Sequence, residues 1–460
     1  MTQRATALSI LVLVAAGGGG GCGSWQRVGQ TDKSPAPGTT LPGLFDASAA
    51  YRSMGSLVGG GALPFVASVR YLAGPTPDST LALFSLSLTN QTLTFQHHGN
   101  EFVAGYHVEA TFHTDNTGTA PVREIASDEQ IRVRHFRETM RTDESVIYQK
   151  FVTLPPGVYQ VSVTLRDGNG PAFSRAARTD TVPRFVGARL SRPLAVYASN
   201  ARQHRHELPT LVANPRATLP YGSDSLRFYV ERYSAGPGML HARVVDGADK
   251  ELWRDSVLLT GDTDLASATL IIAQANLPVG QAELQAVPAA GGDTTRTLFL
   301  VSFSSQWVIT NFDEMANLLR YFDRQDWVDS LKRSPPESRP DVWHEFWKAT
   351  DPNPITPENE ALDDYFRRLQ QANVRFQDEG EPGWLTERGE VLITLGDPDE
   401  MLDMSNGIDR NGLRTLRWTY NSERLVLYFQ DQTGFGRFLL TPTSRADYQR
   451  VLARVRRTGR

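Results

Sequence analysis

The chain has 460 residues, with 47 Lys and Arg against 51 Asp and Glu and a net charge of −4. That balance gives no electrostatic pull toward nucleic acid or an acidic substrate, and the length allows roughly two to four domains, each with its own core. A single cysteine, Cys22, excludes an internal disulfide, so the folded part must rely on packing.

The N-terminus runs from a positive head at Met1–Arg4 through an apolar stretch, Ala5 to Ala16, to the small residues Gly17 to Gly21. This order reads as a secretory signal over 1–21, with small side chains where a peptidase closes around the backbone. The apolar run is about a dozen residues, short of the roughly 20 needed to span a bilayer. Arg, Asp, Glu or Gln interrupts every later apolar run, so no spanning helix is expected. A cysteine directly after the small residues resembles a bacterial lipoprotein signal, here with Gly19 at the position where Leu is usual. The resemblance implies acylation of Cys22 and stable membrane attachment, since two or three lipid chains hold where one does not. Gly23, in the position where Asp favours inner-membrane retention, implies the outer membrane. Residues 22–61 are rich in Gly, Pro, Ser and Thr and read as a flexible tether.

From 62 to 183 the pattern is strand-like. Tyr106, Val108, Ala110 and Phe112 alternate with His107, Glu109, Thr111 and His113, and Tyr159, Val161, Val163 and Leu165 alternate with polar residues. A second β region, 184–304, holds Leu226–Glu231, Ala242–Val245, Ala268–Ile272 and Thr297–Phe303, separated by turn pairs such as Asp246-Gly247. Leu154-Pro-Pro-Gly157-Val-Tyr159 is echoed by Leu277-Pro-Val-Gly280-Gln-Ala282, each Pro–Gly unit turning the chain into a strand. Two tandem Ig-like β-sandwiches are expected.

The stretch 305–460 reads as an α+β domain, helices followed by a small antiparallel sheet. Phe312, Met315, Ala316, Leu319 and Phe322 recur at helical spacing behind Asn311, a candidate cap. Val342, Trp343, Phe346 and Trp347 mark a second helix, and Leu362, Tyr365, Phe366, Leu369, Asn373 and Phe376 a third, with Thr356-Pro357 as its expected start. Glu390–Leu395, Leu416–Tyr420, Leu425–Gln430 and Arg437–Leu440 are expected strands, Gly434-Phe-Gly436 a turn, and 444–456 a closing helix.

Phe346-Trp347, Asp351-Pro352, Asn359-Glu360, Gly383-Trp384-Leu385-Thr386-Glu387-Arg388-Gly389 and Gly396-Asp397-Pro398-Asp399 resemble the GWxTD domain in order and spacing over the last third of the chain. The final acid of the name-giving motif is Glu387 here. The resemblance implies an exported bacterial protein, often a lipoprotein; the family brings no activity with it. From the residues themselves, Gly383 permits a tight turn and Trp384 can pin it to the helices. Thr386 and Glu387 can satisfy N–H groups where the chain enters the next element, expected to be a strand. The functional alternative makes Trp384 a stacking platform and Glu387 or Asp397 a ligand or acid.

Elsewhere, Asp397, Asp399, Glu400 and Asp403 fall within one turn, too local to flank a glycan, and read as an acidic loop with a helix cap. Asp409-Arg-Asn411-Gly412 reads as a turn, and the basic tail Arg454–Arg460 as a solvated helix end. His204 and His206, and His97 and His98, lack a positioned carboxylate or thiolate, while His107 and His113 lie roughly 20 Å apart along one strand. No nucleophile elbow, phosphate loop or dinucleotide fingerprint is present. No catalytic residue, metal or cofactor is therefore expected. The expectation is a lipid-anchored, non-catalytic envelope protein bound to the membrane at Cys22 and to a protein partner, with no nucleic acid. An envelope hydrolase acting on glycans or peptides, and an assembly factor for surface export, stand as alternatives.

Overall fold

All nine residues from Thr80 to Leu88 are buried in the computed structural model, and this strand explains how the β modules are joined. The structure describes residues 47–114, 120–141, 144, 146–222, 225–273, 277–304, 309, 311–354, 359–376, 381–404 and 414–458. All belong to one unit, Leu41–Arg460. Cys22, the signal segment, most of the expected tether, Thr356-Pro357 and Asp409–Gly412 lie outside the described residues.

The first sandwich opens with helix α1 (Ser48–Ser53) and strand β1 (Leu57–Gly59). One sheet joins β1 to β2 (Phe65–Ala73), β3 (Thr80–Leu88) and β7 (Val146–Leu154) in that order. The facing sheet holds β4 (Gln96–His98), β5 (Glu101–His113), β6 (Arg123–Val133), β8 (Gly157–Asp167) and β9 (Phe173–Val182). Phe65, Phe84, Leu86, Phe112, Tyr159 and Val163 fill the space between them. Tyr159 donates its hydroxyl to the Pro155 carbonyl at 3.0 Å, the corner arrangement common in Ig-like sandwiches. A short helix, α2 (Phe136–Thr139), sits between β6 and β7. The expected tether, 22–61, ends earlier than its composition implies. Tyr51 and Leu57 are each 2% exposed, and a Cβ on Gly59 would meet the Phe65 ring at 2.2 Å. That glycine allows close packing within a strand.

The second sandwich comprises β10 (Arg189–Leu190), β11 (Leu194–Asn200), β12 (Thr210–Ala213), β13 (Thr218–Pro220), β14 (Ser225–Tyr233), β15 (Gly238–Val245), β16 (Glu251–Gly261), β17 (Leu265–Ala273), β18 (Gly280–Pro288) and β19 (Thr295–Ser302). β16 pairs with β15 over most of its length and with β17 at Thr260 and Gly261, so one strand serves both layers. Gly157 and Gly280, the echoed glycines, each begin a strand. The two sandwiches stack face to face. On β3, Ala82, Phe84, Leu86 and Leu88 point into the first core, while Leu81 and Leu83 pack on Leu194, Val196, Leu211 and Tyr229 of the second module. Strands buried on both faces lose their polar alternation, and Leu81-Ala-Leu-Phe-Ser-Leu-Ser-Leu88 contains no charge.

The C-terminal unit contains α3 (Phe312–Leu318), α4 (Gln325–Arg333), α5 (Arg339–Thr350), α6 (Glu360–Arg375), α7 (Glu387–Leu395) and α8 (Pro442–Thr458). Its sheet runs β20 (Glu400–Asp403), β21 (Arg414–Tyr420), β22 (Leu425–Asp431), β23 (Phe438–Leu440). Asn311 caps α3 as its sequence implies, accepting the Asp313 and Glu314 N–H groups at 2.8 and 3.1 Å. Asn359 caps α6 by accepting the Leu362 N–H at 3.1 Å. Two expectations are corrected. Glu390–Leu395 is the end of a helix, because Thr386 caps it and Val391, Leu392 and Ile393 are all buried, which no one-faced strand allows. The acids from Asp397 onward lead into the edge strand β20 and not into the helix their reading as a cap implies. Phe303, just after β19, stacks edge-on against Trp343 of α5 at 4.6 Å, so the cores of the second sandwich and the C-terminal unit are continuous. Among the described residues no helix is long and apolar enough to cross a membrane.

Candidate functional site

Gly383-Trp384-Leu385 forms a single 3-10 turn wedged between α6 and α7. A Cβ on Gly383 would lie 2.4 Å from the Ala372 carbonyl oxygen, and one on Gly389 would lie 2.1 Å from the Gly383 carbonyl oxygen. The two glycines therefore let turn, helix and helix meet backbone to backbone. Asn373 Oδ1 accepts the Gly383 N–H at 3.1 Å, giving a buried amide donor its partner. Thr386, 1% exposed, donates to the Gly383 carbonyl at 2.8 Å and accepts the Gly389 N–H at 3.0 Å. One hydroxyl thus closes the turn and caps α7.

Glu387 reaches across to the sheet. One carboxylate oxygen accepts the Leu440 N–H at 2.5 Å and the other pairs with Arg445 of α8. The methylene that distinguishes Glu from Asp lets one side chain span both partners. Arg388 is 8% exposed, with its guanidinium between the rings of Phe376, at 4.6 Å, and Phe438, at 4.5 Å. Such cation–π contacts strengthen as water is excluded. Trp384 is half-buried, edge-on to Tyr321 at 6.5 Å, with Arg320 over the indole at 5.9 Å.

The distal part of the motif is equally occupied. Gly396 ends α7 with φ +83 and its carbonyl accepts the Tyr420 hydroxyl at 3.0 Å. Asp397 pairs with Arg375, and Asp399, following Pro398, accepts the Asn421 N–H at 2.6 Å. Glu400 pairs with Arg417 at 2.6 Å. Glu387 and Asp397 are thus both paired with arginines of the same unit, Arg445 and Arg375. A groove of about 500 Å³ opens elsewhere, at the junction of the second sandwich with α3 and α5, beside Tyr221, Leu277 and Phe312, and no motif residue lines it.

His107 pairs with Asp128 at 2.8 Å on an exposed face, and the rings of His204 and His206 stack at 5.3 Å.

Sequence reasoning missed two contributors. Tyr448 of α8 donates to Glu390 at 3.1 Å and lies 3.0 Å from the Thr394 hydroxyl; burial and the Glu390 charge push its own ionisation up. Nothing local marks it, because the contact joins residues 58 positions apart. Asp431 was legible as the first residue of a turn. It accepts from the N–H groups of Thr433, Gly434 and Gly436 at 3.1, 2.8 and 2.8 Å and from the Thr433 hydroxyl at 3.0 Å. Burial pushes its carboxyl up, but these donors, Gly436 foremost, outweigh that and hold it below the usual carboxylate range. The resulting stability is present above about pH 4, the unfolded value, and is lost as pH falls through the folded one. Asp431→Asn is therefore expected to speed amide exchange across 431–436 at neutral pH, with the difference from the parent shrinking in acid. Hydrogen-exchange mass spectrometry reads this directly, and an unchanged exchange rate would refute the assigned role.

The fold and this hub define a multidomain, mainly β protein whose α+β C-terminal unit is organised around a glycine–tryptophan turn. Residues 290–435 match the model of the GWxTD domain, so the chain carries that domain. The match ends before Leu440 and Arg445, the partners of Glu387, so β23 and α8 complete the unit beyond it. No curated protein matches the chain. Among solved structures it is similar to a "Biofilm associated protein - BSP domain", at 8% identity and TM-score 0.16, covering 51% of each chain. It is also similar to a Ruminococcus gnavus β-glucuronidase, at 8% identity and TM-score 0.15, covering 49% of this chain and 34% of that one. The chain thus spans about half of the first and a third of the second, and likenesses this distant say nothing about activity.

Proposed function

We propose that the chain is an exported, lipid-anchored envelope protein with a non-catalytic role, in which stacked sandwiches carry the GWxTD domain as a docking unit. The observation that carries this reading is the use of the motif's polar groups. Thr386, Glu387 and Asp399 all bind the chain's own backbone or side chains. A catalytic acid or ligand needs a carboxylate free to meet substrate, and those of Glu387 and Asp399 are committed within the chain. The N-terminal order of positive head, short apolar core, small residues and Cys22 supports anchoring. The outer membrane, implied by Gly23, is the proposed location, and a protein of the envelope the proposed partner of the C-terminal unit. Cys22→Ser is expected to abolish incorporation of radiolabelled palmitate and to move the chain out of the detergent phase on phase separation. A variant that stays labelled would remove the anchor from the proposal.

A further inference from the structure

At the end of β6 and in the segment that follows it, four arginines, Arg132, Arg134, Arg137 and Arg141, lie close in sequence to two exposed apolar side chains. Phe136 is 65% and Met140 51% exposed, four positions apart across the single turn of α2. Phe102 of β5 supports the Phe136 ring edge-on at 5.8 Å. The loop that presents them is firmly held. The Glu138 carboxylate accepts the Arg134 and His135 N–H groups at 2.9 Å each, Asn90 donates to the Glu138 carbonyl at 2.8 Å, and the Gln91 N–H donates to the Arg141 carbonyl at 3.0 Å.

Two of these arginines, Arg134 and Arg137, closely flank Phe136 in sequence and are exposed. Glu138 is the single acid between 132 and 141, and its carboxylate is turned onto backbone N–H groups. Arg132 lies 3.7 Å from Glu101, while Arg134 and Arg137 are exposed and pair with no carboxylate among the described residues. Beyond Arg141, Glu144 lies 3.9 Å from Arg216 of the second module. Exposed apolar side chains flanked in sequence by exposed arginines match a surface with phosphates above hydrocarbon. Guanidinium forks fit phosphate, and an aromatic ring settles at the headgroup boundary.

We propose that this patch docks the first sandwich on anionic phospholipid, with Phe136 and Met140 entering the acyl boundary and Arg134 and Arg137 contacting lipid phosphates. The biological surface rests on the envelope reading above, but the contact itself does not require acylation of Cys22. Its test therefore uses the full chain carrying Cys22→Ser, mixed with vesicles of phosphatidylcholine alone or of phosphatidylcholine with phosphatidylglycerol. The chain is expected to sediment with the phosphatidylglycerol vesicles only, and less so at high salt. Arg134→Ala and Arg137→Ala should each lower the bound-to-free ratio about fivefold, the usual effect of one basic residue at an anionic surface. Phe136→Ser should lower it further without moving the melting temperature, because the side chain is exposed. Sedimentation with neither vesicle, equal sedimentation with both, or ratios indifferent to these substitutions would overturn the proposal. So would capture of the patch by an acidic protein in place of the vesicles. Failure of the anchor is read separately, by the palmitate label.

Discussion

Glu231→Gln is expected to destabilise the chain by about 3–5 kcal/mol, the usual result of removing one partner from a buried ion pair. Glu231 and Arg202 have side chains 0% exposed, and Arg202 meets both carboxylate oxygens, at 2.9 and 2.8 Å. Tyr229 and Tyr233 add hydroxyl donors at 2.8 and 2.6 Å, so every donor around the carboxylate is committed. An amide would turn an NH₂ group toward the Arg202 guanidinium, which can only donate. The same arginine donates to the Ala73 carbonyl at 2.7 Å, and the Ala73 N–H donates to Tyr233 at 2.9 Å, so the network clamps the end of β2 to the second sandwich. Urea unfolding followed by tryptophan fluorescence measures the loss. The combined change Arg202→Met with Glu231→Leu should recover most of it, since apolar pairs of similar volume replace buried ion pairs at little cost. A loss below about 1 kcal/mol in Glu231→Gln would mean that water reaches the pair, and the clamp would have to be abandoned.

Gly389→Ala is expected to be the most damaging single-methyl change in the C-terminal motif. Its Cβ would lie 2.1 Å from the Gly383 carbonyl oxygen and 3.1 Å from the Trp384 Cα, both backbone atoms with no rotamer to adopt. Overpacking against movable side chains costs about 1–3 kcal/mol, and here the backbone must move, so a loss of about 3 kcal/mol or more is expected. Trp384→Ala removes far more volume yet should cost less, because the indole is half-buried against Tyr321 and Arg320. Melting temperatures of the two variants test the order, and a milder glycine variant would contradict the close approach.

Much of the fold is legible locally. The period-2 patterns over β5 and β8, the Pro–Gly entries to β8 and β18, and the Asn311 cap are all properties of a few consecutive residues. The candidate site was legible as a list of residues, with their roles only partly assigned. Thr386, suited by its hydroxyl to bond backbone N–H groups, does so at the start of a helix. Glu390–Leu395 misled because a helix buried on all sides and a buried strand share an unbroken apolar run. Gly59 misled because glycine serves equally a loose linker and a strand with no room for Cβ.

By itself the sequence determined which segments are strands and helices in most of the chain, the two β modules, the GWxTD motif and the signal-like order ending at Cys22, since each is written within a short stretch. Only the tertiary structure decided that the sandwiches stack through β3, that Arg202 and Glu231 clamp them, and that Glu387 faces Leu440 and Arg445. Those contacts join residues 29 to 58 positions apart or link separate modules. Burial and hydrogen-bond partners at such separations depend on which faces meet, and no local pattern encodes that.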